Sequence, residues 1–184
     1  MEKLIEFETN YYAQNGGKNG LFKKSQKLEC AKAVSSQFSL AELVGMSIYI
    51  VPGTNRVYLN YPIVKHYACP DNYQKIVSYI LQLYQVCIDT YGKYELHVNL
   101  QGFTISAAER YKEFIKMHSQ MRTSESVDYT EKLDKMVIYY TPSMMDTITQ
   151  FLRPFIDKRV AGKVKMFSKD ESAVAISNNI GINP

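Results

Sequence analysis

The 184-residue sequence predicts a mixed α/β fold, a largely parallel β-sheet flanked by helices, and three observations lead there. From Met46 to Phe167, segments rich in β-branched and aromatic residues alternate with segments of helical period. Among them, Tyr94 to Gln101 alternates strictly, with Leu96, Val98 and Leu100 set against Glu95, His97, Asn99 and Gln101, which reads as a strand with one apolar and one polar face. Just before it, Tyr73, Ile76, Val77, Ile80, Tyr84, Cys87, Ile88 and Tyr91 keep a helical period until Gly92 stops it.

From the amino terminus onward, Ala13 to Gly20 is polar and holds three glycines, which predicts a flexible loop after a short first element. Leu28, Ala31, Val34 and Phe38 predict an amphipathic helix over 24–38, and Ser39 is placed to cap a second short helix through Leu43. Strand-like runs at 46–51 and 56–61 flank Pro52, Gly53, Thr54 and Asn55, the composition of a four-residue hairpin loop. Pro70 and Asp71 open the long helix that Gly92 closes. After strand 94–101 come a helix over 106–120, a looser stretch at 122–130, a strand at 136–141, a helix at 143–156 and a strand at 163–167. The tail from Lys169 to Pro184 adds one short helix and a frayed end. The expected organisation is a short helical extension over 1–45 and a single compact unit over 46–184.

Composition narrows the function. A 184-residue chain that is 46% hydrophobic can bury one core without disulfides or metals. Cys30, Cys69 and Cys87 are odd in number and form no CxxC pair, the pattern of free thiols in a reducing compartment. The net charge of +4 is mild and its lysines are scattered, so it describes a solvated surface with some attraction to anionic membranes. The first residues, MEKLIEFETNYY, carry acids and no apolar h-region, and no run approaches the roughly 20 apolar residues of a bilayer span. A cytoplasmic protein is expected. His66, His97 and His118 lack metal-ligand spacing and read as surface or satisfied core histidines. With no GxSxG elbow, Walker loop, GxGxxG or paired carboxylates, the sequence argues against an enzyme and against a cofactor. The 15 tyrosines are interleaved with apolar residues and flanked by no basic track, so they read as packing and not as a nucleic-acid surface.

In the helix at 143–156, Met144, Met145, Ile148, Phe151, Leu152, Phe155 and Ile156 form one wide apolar face opposite Asp146, Thr147, Thr149, Gln150 and Arg153. Taken alone, this is an ordinary core-facing helix. Around it stand YTE at 129–131, YTP at 140–142, RPFID at 153–157 and GKV at 162–164, with Asn99, Leu100, Gln101 and Gly102 upstream. This series resembles the CRAL-TRIO lipid-binding domain of phosphatidylinositol-transfer proteins and of tocopherol or retinal carriers. The pattern there runs YPE, strand, NAP, amphipathic helix, KPFLD, T and KI, with DLKG ending a central strand. The resemblance covers about residues 46–168.

The resemblance implies a lipid or other hydrophobic ligand held between sheet and helix, with the helix at 143–156 as a mobile gate that meets a membrane surface. Leu96, Val98, Met136 and Ile138 would line the cavity, and Met144, Met145, Ile148, Phe151, Leu152 and Phe155 would form the gate. In phosphatidylinositol-binding relatives the matching positions of Glu131, Asp157 and Lys163 contact the head group. A solvated turn with a surface salt bridge, contributing about 0–1 kcal/mol, is the structural alternative for those three. Val160 replaces the family's Thr in that turn, and Tyr94 and Leu96 stand where choline-lipid binders carry small hydroxyls. The domain also looks shortened, and the polar face of strand 94–101 fits a sheet whose covering helices are missing. Small divergent members of the family serve as protein-interaction modules, so a protein partner with little lipid exchange is the alternative function.

Overall fold

The computed structural model of the chain describes residues 2–16, 23–124 and 127–182. Gly17 to Gly20, in the predicted loop, lie outside the described residues, whereas Ala13 and Gln14 are helical. Helices α1 (Glu2–Gln14), α2 (Lys23–Gln37) and α3 (Leu40–Ser47) precede a hairpin of β1 (Ile48–Ile50) and β2 (Arg56–Asn60). Ser39 caps α3 as expected, accepting the Glu42 N–H. The helix nevertheless runs past Leu43, so Met46 and Ser47, expected to begin the strand, are helical. The buried Ser47 hydroxyl is satisfied there by the Leu43 carbonyl and, at 2.6 Å, by the Tyr67 hydroxyl.

Next come α4 (Tyr61–Val64), α5 (Tyr73–Tyr91), β3 (Tyr94–Asn99), α6 (Ile105–Arg110), α7 (Lys112–Ser124), α8 (Tyr129–Lys132) and β4 (Leu133–Tyr139). Then follow α9 (Met145–Leu152), a 3-10 turn over Arg153–Phe155, α10 (Lys158–Ala161), β5 (Val164–Met166) and α11 (Lys169–Ile180). Gly92 stops α5 at φ 78°, its N–H returning to the Ile88 carbonyl. The strands form one sheet in the order β1-β2-β3-β4-β5, antiparallel only between β1 and β2, which is the mixed, largely parallel sheet the alternation predicts.

Other boundaries also differ from the sequence reading. The helix expected over 106–120 breaks at Tyr111, whose buried ring packs edge-on to Tyr61 and tilted against Tyr73. The strand expected at 136–141 starts earlier, at Leu133, and ends at Tyr139 because Tyr140 takes a left-handed φ of 52°. The helix expected over 143–156 is α9 plus the 3-10 turn, since Pro154 has no N–H to continue the α-helical ladder.

One face of the sheet carries the main core. Val57, Leu96 and Val98 pack there with Ile76, Val77 and Ile80 of α5, and Leu4, Val34, Leu43 and Val44 bring the first three helices into the same cluster. Tyr84 and Tyr94 stack with ring centroids 4.0 Å apart. On the opposite face Tyr58, Val137 and Tyr139 meet Ala175, Ile176 and Ile180 of α11. The tail is therefore a 12-residue helix, opened by a capping box between Ser168 and Glu171. It covers the face that the sequence reading left open, and every residue of β3 is buried.

The polar row of β3 is satisfied internally. His97 bridges Glu95 and the Tyr139 hydroxyl, at 2.9 Å from Nε2 and 2.8 Å from Nδ1. Arg56 and Lys135 approach the same carboxylate, at 3.5 and 3.4 Å, and Arg56 also donates to the Asn179 carbonyl of α11 at 2.7 Å. Burial alone would raise the Glu95 carboxyl, but the hydrogen bond from His97 and the charge of Lys135 outweigh it and leave it below its ordinary value. Burial likewise lowers His97, against the opposing pull of Glu95, which favours a neutral imidazole.

Removing this imidazole takes one hydrogen bond from each of two buried groups that keep other partners, so His97→Ala is expected to lower the unfolding free energy by about 1–3 kcal/mol in all, as measured by urea denaturation. Both pKa shifts are downward, so the unfolded chain holds more protons between the two values of each group and stability rises with pH. Stability should fall on acidification below 6.5, the ordinary His value, and again below 4.5, the ordinary Glu value. His97→Phe should flatten the fall between about pH 7 and 5; an unchanged profile would show that His97 does not cause it.

Candidate ligand-binding site

The parallel register sets the floor of the site. Leu96 is paired with Met136 and Val98 with Ile138, and β5 adds Val164 beside Met136 and Met166 beside Ile138. These side chains share the sheet face turned away from α11. Leu96, Val98 and Ile138 are buried, Met136 is half-buried and Met166 is exposed. The four expected cavity residues are thus brought into one contiguous apolar row. Ile138 is only 4% exposed, so protein atoms cover it.

The expected gate residues are gathered on α9 and the turn after it. Ile148 and Leu152 are buried against Ala108 of α6, with Phe103, Ile105, Ile115, Met145, Phe151 and Phe155 around them. The helix leans on α6, and its 3-10 extension leans on α7. Lys112 adds a charge contact, its Nζ standing 5.2 Å from the Phe155 ring centroid and 5.7 Å from that of Phe151. Met144 and Ile156, at the two ends of the segment, are exposed. Ala108 and Lys112 escaped the sequence reading, because an alanine and a lysine in a helix carry no signal of what packs on them.

The entry to α9 is fixed from the other side of the sheet. Tyr140 holds a left-handed backbone that for a non-glycine residue costs about 1–3 kcal/mol, and its N–H donates to Ser172 Oγ of α11 at 2.6 Å. Thr141 anchors the same turn through Oγ1, which donates to the Phe167 carbonyl at 2.8 Å.

The three expected head-group residues lie near one another but in different situations. Lys163 Nζ points at the Thr130 carbonyl at 3.1 Å, the Glu131 carbonyl at 3.3 Å and the Leu133 carbonyl, so all three ammonium hydrogens meet backbone oxygens at the end of α8. Asp157 caps α10 by accepting the Arg159 N–H at 2.9 Å and pairs with the Arg159 guanidinium at 2.6 Å. Arg159 also reaches Asp128, the N-cap of α8, at 2.6 Å. That hydrogen bond is the main reason the Asp128 carboxyl lies below its ordinary value. Glu131 is exposed on α8, and Val160 is buried. Asp128 precedes the YTE motif and was not singled out from sequence, although an Asp ahead of a short helix is a cap signal.

Sheet, flanking helices and motif positions together define a single family. The family model of the CRAL/TRIO domain matches residues 57–183, which is more than half of the chain, and the protein belongs to that family of lipid-binding domains. No curated protein matches the chain. Among the described residues no group of His, Cys, Asp and Glu is arranged to hold a metal ion, and no helix is long and apolar enough to cross a membrane.

Lys163→Met should destabilise the domain by about 1–2 kcal/mol, because part-buried carbonyls lose a charged donor. The check is a urea titration run beside lipid binding. Reduced binding to an anionic lipid with unaltered stability would instead return Lys163 to a head-group role.

Proposed function

We propose that the protein binds a lipid or similar small hydrophobic molecule between the β3–β4 floor and α9, and that it acts by binding and not by catalysis. The observation that carries this reading is the contiguous row of Leu96, Val98, Met136 and Ile138 on the sheet face turned away from α11, together with α9, whose buried residues pack on α6. In this reading a ligand tail lies against that row once α9 has moved. Burial at about 25 cal/mol per Å² of apolar area then provides retention.

Exchange in this reading occurs at a membrane surface. α9 moves off α6, acyl chains enter against the floor, and closure returns Ile148 and Leu152 to Ala108. Met144 and Ile156, exposed at either end of the moving segment, are the side chains that would enter the interfacial region. The Met144–Met145 pair suits a surface that must accommodate chains of different shape, since methionine is unbranched and polarisable. Ile148 itself is 1% exposed, so a charge there would dismantle the α6–α9 seam, and Met144 is the better probe of exchange.

The direct test is native mass spectrometry of the protein purified from cells, followed by extraction of any bound molecule and a fluorescent-lipid uptake assay. A stoichiometric lipid is the expected result. A bare mass together with failure to take up any probe would sink the carrier reading and favour the protein-interaction module. Met136→Trp, at the half-buried position of the row, should block the floor and reduce uptake about tenfold or more, equivalent to about 1.4 kcal/mol, with the fold intact by circular dichroism. Met144→Asp should slow transfer between vesicles while leaving equilibrium binding in place. Equal loss of both would remove Met144 from the exchange step.

A further inference from the structure

Lys112 places a charge in the seam between α9 and the α6–α7 pair. It begins α7, directly after the break at Tyr111, and is half-buried. Its ammonium stands by two rings at once, 5.2 Å from the Phe155 centroid and 5.7 Å from that of Phe151. Phe151 belongs to α9 and Phe155 to the 3-10 turn, so one side chain of α7 holds both parts of the segment. Both rings also pack with Ala108, Ile148 and Leu152. The contact therefore lies on the seam that α9 must leave in order to open.

What this ammonium lacks is an anion. Among the described residues no carboxylate pairs with Lys112, whereas Lys32, Lys93, Lys116 and Lys135 each have one. The adjacent Glu113 turns instead to Lys116, at 3.8 Å. Lys163 differs again, its hydrogens being taken by backbone carbonyls. A ring face attracts a cation through its quadrupole, but it is a weak partner where water can reach the pair. An anionic oxygen accepts a charge-assisted hydrogen bond from the same ammonium and competes well against such a contact. Met144 and Ile156 stand exposed at the two ends of the segment that carries the rings, so an apolar contact with a bilayer is available at the same element.

We propose that Lys112 is a light latch that keeps α9 seated in water and is released by an anionic lipid surface. The inference rests on the reading of α9 as a moving cover and adds what moves it. Away from a membrane, the ammonium ties Phe151 and Phe155 to the start of α7. At a bilayer that carries net negative charge, the surface potential draws the ammonium towards lipid oxygens. The rings then lose their cation, and α9 can lift from Ala108 with its aromatic side chains free to enter the interface. A zwitterionic bilayer has no comparable potential and leaves the latch in place. Lys112 is thus a positioning residue, which acts through the rings of the cover. Because a ring contact of this kind shifts an equilibrium only a few-fold, it biases the cover without locking it.

The test is deuterium exchange of the backbone amides of residues 145–155 in the full chain, with those of β3 and β4 as the folded reference. It is run in buffer, with phosphatidylcholine vesicles, and with phosphatidylcholine vesicles that contain phosphatidylserine. In buffer, Lys112→Gln should speed exchange of the segment about twofold to fivefold, while Lys112→Arg, which keeps a cation by the rings, should hold the wild-type rate. Anionic vesicles should speed exchange in the wild-type chain and in Lys112→Arg, and add little in Lys112→Gln. Lys116→Gln removes an equal charge from α7 at a residue paired with Glu113 and should keep the anionic response. Wild-type exchange in Lys112→Gln in buffer, or a full anionic response in that variant, would overturn the proposal. An equal loss of response in Lys116→Gln would overturn it too, since general attraction of charge to the bilayer would then suffice. Uptake of fluorescent lipid is measured alongside: exchange decides the latch whether or not lipid is taken up, and absent uptake counts against the hydrophobic-ligand reading alone.

Discussion

The polar face of β3 has to be buried and satisfied, and the rest of the architecture depends on how that is done. Glu95 draws its partners from three neighbouring strands: Arg56 of β2, His97 of β3 itself and Lys135 of β4. Tyr139 completes the row from β4, and Arg56 extends it to the last turn of α11. Because side chains alternate across a strand, a slip of one residue would carry Glu95 and His97 into the apolar core and bring Leu96 out. Leaving such groups unpaired costs several times what a good hydrogen bond contributes. The network thus fixes the register of three parallel strands and decides which face becomes the apolar floor.

Placing the network on one side leaves the other side of these strands apolar. Leu96, Val98, Met136 and Ile138 are aligned because Glu95, His97, Lys135, Val137 and Tyr139 face the opposite way. The two faces are also joined mechanically. Ser172 on α11 holds the N–H of Tyr140, the residue that turns the chain from β4 towards α9. A helix on the back of the sheet therefore sets the path by which the front helix begins, although the two lie on opposite faces.

α9 itself is held more lightly than the sheet. Its buried residues form a cluster of their own, which meets the main core through the half-buried Phe103 and Ile115. A segment seated on a small residue and on contacts between Lys112 and aromatic rings is of the kind that opens locally at less than the global unfolding free energy. The sheet, with its buried network and interleaved core, has no such seam. A rigid floor and a separable cover are what the proposed ligand exchange would require.

Much of this was legible in the order of residues. The strict alternation at 94–101 determined a two-faced strand, Gly92 determined the end of α5, and the spaced motifs from Tyr129 to Val164 placed the chain with its family, because each reports a local geometric need. Burial of the polar face was not legible: nothing within β3 specifies that Arg56, Lys135 and the distant Asn179 will gather around it. The same limit applies to Lys163, whose residue type suits a phosphate but whose ammonium is occupied by carbonyls of α8. By itself the sequence determined which elements form and which of their faces are apolar, since those follow from periodicity and local backbone preference. Only the tertiary structure decided which charges find partners, because that depends on side chains far apart in the chain meeting within hydrogen-bond distance.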